Sequence, residues 1–237
     1  MANDIAIVLT GTIIPNSNLV SHMNVEERKK EYLYTLEYYK RYSPVYFLEN
    51  SDYPLLHDPA FLNIEGVFLR KFPVSSEYTK GKGYQEFEML DLWINSEKQL
   101  PARFIKITGR YVVTNIHKIY DECLKKVSWP LMIDRYKKSR KAYTSLFYIK
   151  SDYYKKYLEG LYRECDDSMG RWIEYVVFKR LEHSSVQARI FAHQPLFQGI
   201  SGSTGGSIKS HFLKHIVKAL MRKLSYNIDN KYIRLYG

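Results

Sequence analysis

Cysteine is nearly absent from these 237 residues, with Cys123 and Cys165 as the only two. Two thiols so far apart, with no closely spaced histidine pair to join them, make neither a disulfide framework nor a zinc site. Long apolar runs are missing as well. No stretch approaches the roughly 18 residues of a membrane-spanning helix, which excludes an integral helical membrane protein. The opening MANDIAIVLTG shows no basic n-region and no small-residue cleavage site, so together with the scarce cysteine it makes a reducing cytoplasm the expected location. Glycine fingerprints are also lacking where they would carry chemistry. No G-x-G-x-x-G follows the first strand and no G-x-S-x-G occurs, which argues against dinucleotide binding, a Rossmann-like methyltransferase and a nucleophile-elbow hydrolase. The one glycine-rich run, Gly199 to Ser207, precedes Lys209 and Ser210, but Ile208 stands where a P-loop requires glycine before the lysine. That run reads as a surface loop able to close over a phosphate-bearing substrate. His211 and His215 share a helix face without the glutamate of H-E-x-x-H, so no metal site is expected there.

What the chain has in plenty is positive charge. Lys and Arg number 36 against 25 Asp and Glu, a formal net charge of +11, so the surface should attract polyanions such as nucleic acid, anionic lipid or phosphorylated small molecules. With 45% hydrophobic and 26% charged residues, the composition is that of a globular protein large enough for one domain with a real core.

The order of elements is that of an α/β protein. IAIVLTGTI, Ile5 to Ile13, is a continuous apolar run cut by Thr10-Gly11-Thr12, as in a buried parallel strand feeding a tight loop. Asn24 and Glu27 form a capping pattern ahead of a helix bearing Val25, Leu33, Leu36 and Tyr39, and PVYFLENS follows as a second strand. GVFLRKF makes a further strand, KGKGYQEFEMLDLWI a helix with Phe87, Leu90 and Trp93 on one face, and RFIKITG the next strand. A mid-chain helix, the strand WPLMIDRY, the strand-to-helix run TSLFYIKSDYYKKYLEGLY and a helix in DDSMGRWIEYVVFKRLE complete the pattern. The last helix is expected to set Ile208, Phe212, Ile216, Leu220 and Leu224 on one stripe. In such sheets ligands bind beyond the carboxyl ends of the strands, here Thr10-Gly11-Thr12 and Glu49-Asn50-Ser51. The break in RFIKITGRYVV places a glycine beside an arginine at a third strand end. Gly109 there marks a bulge or a close approach, and Arg110 either faces a phosphate or pairs with a surface carboxylate.

Taken together these parts resemble a small, divergent glycosyltransferase of the GT-A type, similar to nucleotide-sugar enzymes of surface-polysaccharide pathways. The resemblance spans most of the chain, with loose motifs. It implies a single α/β domain with a central, mostly parallel sheet and a helix-rich C-terminal part, residues 1–115 forming the nucleotide-binding half and 116–237 the acceptor half with the C-terminal helices. It further implies that Thr10, Gly11, Thr12, Glu49, Asn50 and Ser51 hold the nucleoside, and that Glu174 is a catalytic base. The family's metal-binding acid-x-acid motif is missing. KITGRY takes its place in the order, so Arg110 is expected to meet the leaving diphosphate, helped by Lys80, Lys82 and Lys106 with Thr108 and Gly109 beside it, and no divalent metal or other cofactor is expected. The partners implied are a nucleotide sugar and a glycan or lipid-linked acceptor, with weak attraction to anionic membrane through Lys214, Lys218 and Arg222.

Other readings of the same residues stand beside these. Glu174 could be an exposed helical glutamate paired with Arg171 or Lys179 while Trp172, Val176 and Leu181 face the core, and Asp166 and Asp167 read as helix caps or as the next candidates for the base. A basic chain with 22 tyrosines could also be a nucleic-acid-binding module without catalytic activity. It ranks second, since no RNA-binding signature is present.

Overall fold

In the computed structural model residues 5–15, 24–183, 185–200, 207–208, 212–228 and 230–233 are described. The first strand, β1 (Ile5–Gly11), is buried along its whole length. Ala6 and Val8 point into one core with Phe87, Leu90 and Trp93, and Ile5, Ile7 and Leu9 into a second with Leu36, Tyr39 and Ile119. A strand covered on both faces needs apolar residues at consecutive positions, which is why this segment does not alternate. After it come α1 (Val25–Tyr39), whose first turn is capped by the Asn24 side chain accepting the Glu27 N–H at 3.0 Å, and β2 (Val45–Glu49), the short α2 (Pro59–Leu62), β3 (Val67–Lys71) and α3 (Lys82–Ser96). Then follow β4 (Arg103–Thr108), β5 (Val112–Val113), α4 (Ile116–Lys125), β6 (Leu131–Tyr136), β7 (Lys141–Lys150), α5 (Ser151–Tyr157) and α6 (Ile173–Leu181). Last are β8 (Phe197–Ile200), β9 (Ser207–Ile208) and α7 (Phe212–Ile228).

Six strands form the main sheet in the order β3-β2-β1-β4-β7-β6. From β3 to β4 all neighbours are parallel, while β7 runs antiparallel to both β4 and β6. The fold is therefore the mixed α/β architecture with a mostly parallel sheet that the sequence predicts. α3 and α6 belong to one core and α1 and α4 to the other, which makes three layers. Trp93 on α3 is fully buried, as its place on the helix stripe requires.

The chain leaves β1 toward β2 and β3 on one side and returns to β4 on the other. The strand order thus reverses between β1 and β4, and at their carboxyl ends the connecting loops part to leave a crevice. A second, small sheet β5-β8-β9 stands beside it. Residues 201–206 and 209–211, with most of the glycine-rich run, Lys209, Ser210 and His211, lie outside the described residues.

At the C-terminus α7 is fastened by Arg222, which donates to both carboxylate oxygens of Asp134 on β6 at 2.7 and 2.5 Å and to the Phe191 carbonyl at 2.9 Å. Arg222 is only 4% exposed. The expectation that it faces a membrane is therefore overturned: a guanidinium with a buried carboxylate partner turns inward.

Candidate functional site

The turn after β4 is set by its neighbours. Tyr111 N–H closes on the Thr108 carbonyl at 3.0 Å, and Gly109 N–H donates to the Thr10 carbonyl at 2.8 Å. A Cβ on Gly109 would stand 2.7 Å from that same carbonyl oxygen and 3.0 Å from the Tyr32 ring. The close approach that demands glycine is thus that of β1 and Tyr32. From α1, the Thr35 hydroxyl donates to the Gly109 carbonyl at 2.5 Å, and the Tyr39 hydroxyl donates to the Tyr111 carbonyl at 2.7 Å while accepting the Val113 N–H at 2.8 Å. A turn held at three points presents Arg110 in one direction.

The loop after β1 is braced from beneath. Glu49 accepts the N–H of Ile13 at 3.1 Å and of Ser51 at 2.9 Å, Asn50 accepts the Thr12 hydroxyl at 2.7 Å, and the Ser51 hydroxyl oxygen accepts the Ile14 N–H at 3.0 Å. All three residues are at most 2% exposed. They stand behind Thr10-Gly11-Thr12 and do not line the cleft, so their place is that of supports, where the sequence predicts direct donor contacts. Burial pushes the Glu49 carboxyl up, against the Ser51 hydroxyl, the Ile13 N–H and Lys71, whose ammonium lies 3.1 Å away.

Above these supports opens a cleft of about 1040 Å³. The ends of β1 and β4 contribute Thr10, Gly11, Thr12, Thr108 and Arg110 to its wall, α1 contributes Arg28 and Tyr32, and α3 contributes Lys82 and Glu86. Opposite, the start of α6 brings Trp172, Ile173 and Glu174. Arg110 lines the cleft, is 7% exposed and pairs with Glu31 at 2.8 Å, so of the two alternatives read from the sequence the carboxylate partner is present. Arg28, which the sequence reading missed, spans the same wall and donates through Nε to the carbonyls of Thr12 and Ile13, each at 3.1 Å. Lys82 feels both arginines. Burial lowers its pKa, and the charges of Arg110 and Arg28 lower it further.

Two predicted cations lie elsewhere. Lys106 is fully buried and donates to Glu86 Oε1 at 2.6 Å, to the Thr144 carbonyl at 2.9 Å and to the Thr108 hydroxyl at 3.2 Å. It neutralises Glu86 from below and so cannot reach a phosphate. Lys80 pairs with Glu77 at 3.1 Å, lies over the Tyr84 ring and is not part of the cleft wall. Glu86 itself, on α3, lines the cleft and accepts the Thr10 hydroxyl at 2.5 Å and the Thr108 hydroxyl at 3.3 Å.

Glu174 points into the cleft from the first turn of α6. Burial raises its pKa, and the charges of Glu86 and Asp167 push the same way. Trp172, expected in the core, is 46% exposed with the Lys141 ammonium 5.0 Å from its ring. Asp166 caps a single 3₁₀ turn by accepting the Ser168 N–H at 3.1 Å. Asp167 accepts the backbone N–H of Lys82 at the start of α3. Neither caps α6, whose N-cap is Trp172.

The donor set does not suit a divalent ion. Among the described residues no three His, Cys, Asp or Glu side chains are grouped to hold a metal, and one of the cleft's carboxylates, Glu86, is already matched by Lys106 at 2.6 Å.

No protein-family model matches the chain, and no curated protein matches it in sequence. Its fold is similar to solved structures at low identity. One is a protein of Desulfovibrio desulfuricans G20 provisionally named a nucleotide-diphospho-sugar transferase, 11% identical over 81% of this chain and 80% of that one, with a TM-score of 0.49. Another is S. aureus TarS (residues 1–349) in complex with UDP-GlcNAc, 6% identical over 96% of this chain and 73% of that one, TM-score 0.46. A third is mouse xyloside xylosyltransferase 1 in its apo form, 12% identical over 78% and 84%, TM-score 0.44. All three fall below 0.5, and nothing about this chain's activity follows from them.

Proposed function

We propose that the chain transfers a sugar from a nucleotide-diphosphate donor to a glycan or lipid-linked acceptor. The observation that carries this reading is the convergence of Arg28, Lys82 and Arg110 on one cleft at the reversal of strand order, facing the half-buried carboxylate Glu174. Burial lowers the pKa of Lys82 and of Arg28, and the Arg110 charge lowers both further; a cluster of like charges on one wall favours a polyanion, and a diphosphate spans such a cluster. In the reaction the acceptor hydroxyl oxygen bonds to the anomeric carbon and its proton passes to Glu174. The bond from that carbon to the diphosphate oxygen breaks, and the electron pair leaves on the phosphate, where the guanidinium of Arg110 and the ammonium of Lys82 meet the developing charge. Glu49, Asn50 and Ser51 act one layer back by holding Thr10-Gly11-Thr12 in place.

A thermal-shift screen against UDP, GDP, CMP and dTDP conjugates tests this. A conjugate at a hundred times its Kd stabilises the fold by about 2.7 kcal/mol, which raises Tm by roughly 5–10 °C for a chain of this size. Arg110→Ala should abolish the shift, Arg110→Lys should recover little of it because a point charge lacks the planar fork, and Lys80→Ala should leave it unchanged. Silence toward every conjugate together with a shift on adding RNA would favour the nucleic-acid reading instead.

A further inference from the structure

Over residues 218–228 α7 is amphipathic in the reverse of the usual sense. Its inward face carries Arg222 and Ser225, 4% and 1% exposed, while Leu220, Leu224 and Ile228 face solvent at 59%, 55% and 64% exposure. Side chains at i, i+4 and i+8 fall within an arc of about 80° on a helix that turns 100° per residue. One exposed leucine is ordinary. A row of three on one helix, turned out while an arginine is turned in, is a surface to be covered.

Charge decides what covers it. The 17 residues of α7 include no Asp or Glu but contain Lys214, Lys218, Arg222 and Lys223, and Lys223 is exposed beside the apolar row. A second copy of the chain would bring another net charge of +11 against this one, whereas acidic head groups attract it. No helix among the described residues is long and apolar enough to cross a membrane, so the helix would lie along the interface rather than span it. We infer that α7 lies in the surface of an anionic bilayer, with Leu220, Leu224 and Ile228 in the acyl boundary and Lys223 among the head groups. Composition alone gives a diffuse attraction; the structure assigns the face. Lys218 and Arg222 on the other side of the same helix line the cleft, so docking would hold the cleft about one helix thickness behind the head-group layer, whether or not the cleft transfers a sugar.

The experiment is co-sedimentation of the full chain with vesicles of phosphatidylcholine alone or mixed equally with phosphatidylglycerol. The chain should partition into the mixed vesicles at least about tenfold better than into the neutral ones, and Leu220→Gln/Leu224→Gln/Ile228→Gln should lose about tenfold or more of that partition. Its Tm should be unchanged, because these side chains already sit in water. Leu224→Glu, a single change on the same face, should lose binding in the same direction and guards against misfolding of the triple variant. Equal binding by the variants would show that net charge alone acts and would overturn the assignment, as would failure of the unaltered chain to bind. A dimer in size-exclusion chromatography that the triple variant breaks would make a second copy the occupant and overturn it too.

Discussion

In the proposed transfer Glu174 accepts a proton only when ionised, so the pH at which it ionises would set the acid limb of that reaction. Burial, reinforced by Glu86 and Asp167, raises its pKa, and the base therefore becomes active only above the ordinary glutamate value of about 4.3. Plotted against pH, kcat should rise through this raised pKa. Glu174→Gln should flatten that limb and lower kcat by about 10²–10⁴-fold while the nucleotide-induced Tm shift stays nearly unchanged. A fully active Glu174→Gln would pass the role to Asp167, another carboxylate of the cleft wall, or to its neighbour Asp166. The place of Glu174 in the cleft wall was expected only through the family resemblance, since a carboxylate at the start of a helix can equally well face solvent. Arg28 was legible only in part: it shares a stripe with Tyr32, Leu36 and Tyr39 at helical spacing, and an arginine on an apolar stripe is a signal of burial that composition hides. Lys106 misled because alternation along β4 cannot tell a lysine facing solvent from one buried against Glu86, a residue 20 positions earlier.

Among the elements, the strands and helices around both cores could be read from the sequence, since a segment covered on both faces must be apolar throughout and a segment covered on one face must repeat at its own period. The orientation of α7 could not. A stripe of leucines and isoleucines on a helix states that one face is apolar, not which way that face points, and only the pairing of Arg222 with Asp134 fixes it. Removing one member of this buried pair strands the other, so Arg222→Ala or Asp134→Ala should cost about 3–5 kcal/mol. The double change Arg222→Met/Asp134→Leu should restore much of that loss. Chemical denaturation of the four proteins checks both values. If the double variant is as unstable as either single one, the pair contributes more than charge matching.

For the whole molecule, the cations of the cleft are covalently part of the chain, and turnover should therefore persist in EDTA. Loss of activity in EDTA, restored by manganese or magnesium, would mean that a divalent ion shares the diphosphate with Arg110 and Lys82. The reversal of strand order that creates the cleft also has a consequence in time. β4 pairs with β1 on one edge, but its other edge is completed by β7, whose first residue, Lys141, comes 33 positions after Thr108. At the usual pace of synthesis that interval is about 2–7 s, during which a half-built sheet carries an open, apolar strand edge. The growing chain is thus most prone to mispairing just before its antiparallel strand emerges, and a chaperone that binds nascent strands would find its target there.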